Sequence, residues 1–240
     1  MIPKIIHYCW FGRNPKSKLI ERCIASWRKY CPDWQIIEWN EDNYDTRKNT
    51  FCRQAYESKK WAFVSDYARF DVLYQMGGIY MDTDVQILRP LDDFLGHDVF
   101  AGHETDTWVA PGLILGSIPQ HPMLRSVLDH YAQASFLTGD GSENQKTVGE
   151  YFTQALLESG IQPNGVYQEA EGIAIYPKEY FCPLDDATGV LAKTENTYTI
   201  HWYSKTWIDP KLRFRTKLTR VFHRVFGNDC FAWIKKRRKK

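Results

Sequence analysis

The sequence predicts an α/β fold, with one domain over residues 1–210 and a basic helical tail over 211–240. Three observations carry this. The chain opens with a strand, a helix and a second strand, the β-α-β order that builds a parallel sheet. Residues 61–76, which contain neither Gly nor Pro, run through a double glycine into a short apolar strand. Beyond them, strand-like and helix-like segments continue to about residue 203, with no internal repeat or low-complexity linker.

Taken in order, KIIHYCW (4–10) reads as the first strand and FGRNPKS as a loop with turn chemistry. SKLIERCIASWRKY (17–30) has apolar positions at 19/20, 23/24 and 27, which is helical spacing, and WQIIEWN (34–40) is the second strand. WAFVSDYARFDVLYQM (61–76) is apolar nearly all round, which predicts a buried helix. Gly77 is a natural C-terminal cap for it. IYMD is a short buried strand, and VQIL (85–88) continues it or begins another before Pro90 closes the region. DVFAGHE (98–104) and GLILGS (112–117) are predicted strands, residues 121–136 and 143–159 helices, and IAIYP (173–177) and YTIHWY (198–203) late strands.

At 240 residues, 43% apolar and 25% charged, the chain is an ordinary globular protein able to bury a full core. Nine Trp and fourteen Tyr give a weak pointer to sugar or base rings, on which aromatic side chains stack. The opening MIPKIIHYCW is too short for a signal peptide and carries Pro3, Lys4 and His7 where a signal is apolar. No run approaches the ~18 apolar residues of a membrane span. The six cysteines form no CxxC pair and there is no Asn-x-Ser/Thr sequon, so the expected location is cytoplasmic, with reduced thiols. Charge is divided unevenly. Of 31 Lys and Arg, 12 lie in 211–240 beside one acid, leaving 19 bases against 28 acids in 1–210, a balance of −9. An acidic body with a basic tail suggests a tail that meets an anionic surface.

The stretch GGIYMDTDV (77–85) ends a buried strand on two carboxylates, Asp82 and Asp84. Ligands of open α/β sheets sit beyond the carboxyl ends of strands. On an extended segment, residues two apart point to the same side, so both carboxylates can address one point. Such oxygen ligands suit Mg²⁺ or Mn²⁺, whose remaining positions are shared with substrate phosphates. Asp-x-Asp alone is a weak motif, and a solvated turn explains most instances. One helix earlier, Asp66 and Arg69 share a face at i, i+3. They read either as a local ion pair or as a site in which Asp66 accepts from sugar hydroxyls while Arg69 donates to hydroxyl or phosphate. Asp71 lies on another face and is expected to be structural.

SDYARFDVLYQMGGIYMDTDV resembles the signature of the DXD-containing sugar transferases of glycosyltransferase family 32, through Ser65, Asp66, Arg69, Leu73, Gly77, Gly78, Tyr80, Asp82 and Asp84. The opening IPKIIHYCWFG is similar to that family's first strand, with Trp10 and Gly12 in place, and IHWYSKTW (200–207) resembles its late His-containing segment with Thr206 for the usual Ser. The resemblance is to the bacterial capsular or exopolysaccharide type. It implies a GT-A fold with a mixed central sheet flanked by helices, a nucleotide-sugar donor with UDP favoured, and Mn²⁺ or Mg²⁺. It further implies that Trp10 stacks on the nucleobase, that Asp66 and Arg69 hold the donor sugar, and that Asp82 reaches ribose or sugar hydroxyls. Asp84 ligates the metal, with Asp82 and His201 completing the set, while Ser204 and Trp207 belong to a loop closing over the diphosphate. Asp66, Arg69 and Asp82 are thus the expected catalytic residues of a retaining transferase acting by front-side attack. The expected acceptor is a glycan, lipid-linked, in surface polysaccharide synthesis. Residues 103–150, with His103, Glu104, Trp108 and Asn144, are expected to shape the acceptor side, without individual roles.

Two other classes stay open. A haloacid-dehalogenase-like phosphatase would use Asp82 as nucleophile and Asp84 as acid/base, with Lys178 and Asp185 or Asp186. A non-catalytic membrane or glycan-binding module would need none of these residues. In the tail, KLRFRTKLTRVFHRVF (211–226) sets Phe214, Leu218, Val221, Phe222 and Val225 on one stripe among basic residues. It reads as a helix packed on the domain or as a basic amphipathic element on the inner face of an anionic cell membrane. Nucleic acid is disfavoured by the acidic body.

Overall fold

The computed structural model describes residues 1–144, 146–205 and residue 220. In chain order the elements are β1 (Ile5–Cys9), α1 (Lys18–Tyr30), β2 (Gln35–Trp39), α2 (Thr50–Glu57), α3 (Trp61–Met76), β3 (Gly78–Tyr80) and β4 (Val85–Ile87). A 3₁₀ turn (Asp92–Phe94) leads to β5 (Val99–Thr105), β6 (Trp108–Val109), β7 (Leu115–Ser117), α4 (Pro122–Ala132) and α5 (Val148–Glu158). The described part ends with β8 (Gln168–Ala170), β9 (Ile173–Tyr176), α6 (Lys178–Phe181) and β10 (Thr199–His201).

The main sheet has the order β2-β1-β3-β7-β5-β9-β8, with β6 paired to β5. β1 runs parallel to β2 and β3, and β5 parallel to β9, while β7 is antiparallel to both its neighbours. The sheet is therefore mixed. One core side holds α2, α3, α4 and α5, with Phe51, Phe70, Tyr131 and Phe152 fully buried; the other holds α1 and α6 around Trp27, Phe94, Phe100 and Phe181.

α1 starts where the Ser17 side chain accepts from the Ile20 N–H. It packs on β4 and on β1, where the Trp27 ring meets the Tyr8 ring edge-on with centres 5.3 Å apart. The Trp27 indole N–H donates to Val85 O at 2.7 Å, and the Ile87 N–H donates to Ser26 Oγ at 2.9 Å. α3 buries Val64 and every residue from Tyr67 to Leu73, as its all-round apolarity predicts. It ends at Gly77, whose N–H donates to Leu73 O at 2.8 Å with φ +65°. Gly78, at φ +105°, lies so close to β1 that a Cβ would stand 2.7 Å from Ile5 O. The two glycines thus turn a buried helix directly into a buried strand.

VQIL begins another strand, as one of its two readings has it, and does not continue β3: β4 pairs antiparallel with β10 in a separate ribbon, His201 opposite Val85. Two expectations need correction. The Asp-x-Asp segment is not extended but a tight turn, in which the Val85 N–H donates to Asp82 O at 3.0 Å. The helices at 121–136 and 143–159 are shorter, because α4 ends at Ala132 and α5 starts only after the Thr147–Glu150 capping box. α2, capped by the Asn49 side chain, and the short β6, β8 and α6 are additions. The domain boundary near 210 and the amphipathic stripe at 211–226 lie outside the described residues, apart from Arg220.

Candidate active site

β1, β2, β3 and β5 point the same way, so Trp10, Asn40, Asp82 and Glu104 gather at one carboxyl edge of the sheet. His7, buried in the middle of β1, ties the edge strands together. Its Nε2–H donates to Gly77 O at 2.8 Å, and its Nδ1 accepts from the Trp39 indole at 3.0 Å. Burial holds the ring neutral, with a pKa lowered to about 4.

Arg69 is the buried centre of the first half of the site. Its Nη2 lies 2.7 Å from Asp66 Oδ1 and 3.6 Å from Asp82 Oδ1, and its Nε–H donates to Ser65 O at 3.1 Å. The guanidinium also lies 4.8 Å from the centre of the Tyr80 ring, whose hydroxyl donates to Asp82 Oδ1 at 3.2 Å. Asp66 and Arg69 are therefore a local ion pair and also part of a wider array, two carboxylates sharing one guanidinium. Burial and the nearby Asp82 raise the Asp66 pKa while Arg69 opposes them, leaving it at about 6. Asp71, by contrast, is committed to Tyr44, Lys48 and Gln75 and is structural.

Asp82 fits only because residue 112 is glycine. The Asp82 N–H donates to Gly112 O at 2.9 Å, and a Cβ on Gly112 would lie 2.1 Å from Asp82 Oδ2. GLILGS reads from sequence simply as a strand, and nothing local marks Gly112 as the neighbour of a residue thirty positions earlier. The carboxylate of Asp82 remains 34% exposed.

The second half of the site faces elsewhere. Asp84, only 9% exposed, has Oδ1 3.0 Å from His201 Nε2, and its Oδ2 accepts the Ser204 N–H at 2.6 Å. The β4–β10 pairing explains this meeting, since it sets His201 beside Val85. Burial disfavours the Asp84 charge, but His201 and Ser204 outweigh it and hold the carboxyl well below its usual range. Burial likewise works against the imidazolium, and Asp84, with Asp82 and Glu104 further off, raises His201 to about 9. The loop after β10 closes on Asp84: the Trp202 N–H donates to Asp84 O at 3.0 Å, and the Trp202 indole to Gln86 Oε1 at 3.0 Å. Ser204 serves here through its backbone N–H and, in holding the Asp84 charge, through its side chain as well. Trp207 lies outside the described residues.

Among the described residues no three His, Cys, Asp or Glu side chains form a closed metal cage. The turn instead separates its aspartates, Asp82 toward Arg69 and Asp84 toward His201. Asp84 and His201 Nε2 converge as one carboxylate and one imidazole, and a cation held there would take the place of the proton the pair shares and draw its other ligands from phosphates. Trp10 borders a cleft of about 480 Å³ with Arg13, Asn14, Lys16, Glu38 and Asn40, a volume in the small-ligand range. The Lys16 ammonium sits 5.4 Å from the Trp10 ring centre and so covers part of the indole.

Residues 17–101 match the family model described as a glycosyltransferase sugar-binding region containing a DXD motif. Among curated relatives, the mannosyl phosphorylinositol ceramide synthase CSH1 of Saccharomyces cerevisiae is 32% identical over 183 residues, covering 69% of this chain and 46% of that protein. The inositol phosphoceramide mannosyltransferase 1 of Schizosaccharomyces pombe is 27% identical over 143 residues, covering 55% of this chain and 43% of that protein. The chain thus spans under half the length of these two relatives. In fold, it superposes on the PaToxG glycosyltransferase with a TM-score of 0.51 and 21% identity, over 65% of this chain and 69% of that one. The fold is that of a GT-A glycosyltransferase, and residues 17–101 are similar to the DXD-containing sugar-binding region of such proteins.

Proposed function

We propose that the protein transfers a sugar from a nucleotide-sugar donor to a hydroxyl-bearing glycan acceptor, with Mn²⁺ or Mg²⁺ bound at Asp84 and His201. The observation that supports this most is the division of one turn between two tasks. Asp82 joins Asp66 and Arg69, a set of acceptors and donors suited to sugar hydroxyls and phosphate. Asp84, less exposed than Asp82, joins His201 in a separate pair. Both lie on the strand edge that carries Trp10, whose cleft is the candidate nucleobase site.

Breaking a glycosyl–phosphate bond leaves charge on the departing diphosphate, and a bound cation would supply Lewis-acid stabilisation there. The chain's own residues do the remainder. Arg69 is held rigid by Asp66, Ser65 and the Tyr80 ring, so its fork is preorganised. Asp66 and Asp82 favour positive charge developing on the sugar. Retention by front-side attack is the proposed course, following the family resemblance. Mannose joins the UDP-sugars as a candidate donor sugar because two of the relatives are named as mannosyl-transferring enzymes. For the acceptor, the sequence favours a lipid-linked surface glycan, while the relatives' names add a glycolipid. The proposed location is cytoplasmic, on the inner face of the cell membrane through the basic tail.

The phosphatase alternative fits less well. Lys178 pairs with Asp185 at 3.7 Å, and Asp186 with Lys205 and Arg220, each at 2.7 Å. Thermal denaturation with UDP or GDP, with and without Mn²⁺, tests the proposal. Metal-dependent stabilisation by one nucleoside diphosphate, absent in Asp84→Ala, is expected. No response to either nucleotide would sink it. A hydrolysis screen over UDP-sugars and a mannosyl nucleotide then identifies the donor.

A further inference from the structure

We propose that Glu104 is the carboxylate that receives the acceptor hydroxyl at this site. The proposal rests on the transferase reading above and names the acceptor side that reading leaves open. The sheet register supplies the first support. Tyr80 on β3 is level with Leu115 on β7, which is level with Ala101 on β5. β3 and β5 run the same way with β7 between them, so Asp82, just past the end of β3, and Glu104, near the end of β5, lie at the same edge of the sheet. The centre of the Tyr203 ring lies 4.2 Å from that of the His201 ring, so Glu104, held by the Tyr203 hydroxyl, stands beside the cation side of the site.

Hydrogen bonding supplies the second support. The Tyr203 hydroxyl donates to Glu104 Oε1 at 2.9 Å, and Cys182 Sγ lies 2.9 Å from the same hydroxyl. With the phenolic hydrogen committed to Glu104, the thiol is the donor to the phenol oxygen. This chain of donors, buried at Cys182 and half-buried at Tyr203, fixes the carboxylate's orientation. A carboxylate accepts through two oxygens and about four lone-pair directions, so the bond from Tyr203 leaves acceptor capacity for a hydroxyl.

The third support is strain. Tyr203 and Lys205 both have left-handed backbones, φ +49° and +51°, and neither is glycine. Between them the Ser204 N–H reaches Asp84. The same short segment therefore grips Glu104 on one side and the metal-ligand candidate on the other. Backbone strain of this kind persists where surrounding contacts over-determine it, typically at ligand clamps. The donor and cation roles are already filled by Asp66, Arg69, Asp82, Asp84 and His201. Glu104, a carboxylate on the same side as the cation and the departing diphosphate, is left to hold the attacking hydroxyl for front-side attack, accepting its hydrogen bond while the proton passes to the leaving diphosphate oxygen.

The test uses the full chain with water as the acceptor. Glu104→Gln keeps the bond from Tyr203 but replaces the free acceptor oxygen with N–H donors. Hydrolysis of the nucleotide sugar that the wild type turns over is expected to fall roughly tenfold or more in kcat. Affinity for the nucleoside diphosphate with Mn²⁺, measured by calorimetry, is expected to stay within about twofold, which a general structural defect would not spare. Tyr203→Phe should lower hydrolysis less and add nothing in the Glu104→Gln background. Unchanged hydrolysis in Glu104→Gln overturns the proposal, and so does a parallel loss of nucleotide affinity, which would place Glu104 with the donor or the cation. A wild type that neither binds a nucleotide nor hydrolyses a donor overturns the transferase reading itself.

Discussion

His7 is a buried histidine with both ring nitrogens assigned, one donating to Gly77 O and the other accepting from Trp39. It holds the helix-to-strand turn that delivers the two aspartates, so its protonation is a stability switch for the site's framework. The folded pKa of about 4 lies below the ordinary 6.5, so the group stabilises the fold above pH 6.5 and loses that contribution as pH falls toward 4. Between pH 7 and pH 5 the loss amounts to about 2 kcal/mol. Urea unfolding at the two pH values measures it, and His7→Gln, which cannot titrate, should remove this part of the slope; equal slopes in both proteins would refute it. The sequence showed His7 only as one letter of the first-strand pattern. Asp66 and Arg69 were legible because i, i+3 spacing is local. Gly112 and Tyr203 were not, since each acts on a partner brought close by sheet pairing or by a loop, and local sequence carries no trace of such a contact.

At the scale of elements, the site depends on a strand that does not belong to the main sheet. β4 is short, and its backbone is held by β10 on one side and by α1 on the other. The sequence identified VQIL as apolar and extended, but not its partner, because an isolated three-residue strand pairs wherever tertiary packing allows. The helix α3 was legible to the residue, since its apolar surround and terminal glycine are both local signals. Ser26 is the simplest probe of the α1–β4 clamp. Its Oγ accepts the Ile87 N–H at 2.9 Å and donates to Cys23 O at 2.6 Å. Ser26→Ala strands a buried backbone N–H, which costs about 1–3 kcal/mol. Thermal unfolding should show that loss, together with a weaker Mn²⁺-dependent nucleotide response, because Asp84 immediately precedes β4. A variant as stable as the wild type would mean that β4 is held by β10 alone.

The whole molecule carries its charge at opposite poles of the chain: 28 acids against 19 bases before residue 211, and 12 bases against one acid after it. One described residue of the tail shows how it meets the body. Arg220 Nη2 lies 2.7 Å from Asp186 Oδ1, and Lys205, at the end of the loop over Asp84, takes Asp186 Oδ2 at 2.7 Å. Asp186 thus joins Arg220 of the tail to the loop over Asp84, and the chain's last six residues, KKRRKK, form a separate run of charge in the sequence. Those six charges are the natural probe of the membrane proposal, since neutralising them spares Arg220. Each basic residue near an anionic bilayer contributes about 1 kcal/mol, and the effect decays within a Debye length of about 8 Å at physiological salt. Replacing Lys235, Lys236, Arg237, Arg238, Lys239 and Lys240 by Gln should therefore weaken co-sedimentation with phosphatidylserine vesicles by at least about tenfold. Wild-type binding should fall steeply as salt rises and be slight on phosphatidylcholine alone. Because Arg220 stays paired with Asp186, nucleotide binding should be unaltered in the same variant. Equal sedimentation of the two proteins on anionic vesicles would show that the tail's charge faces something other than a membrane.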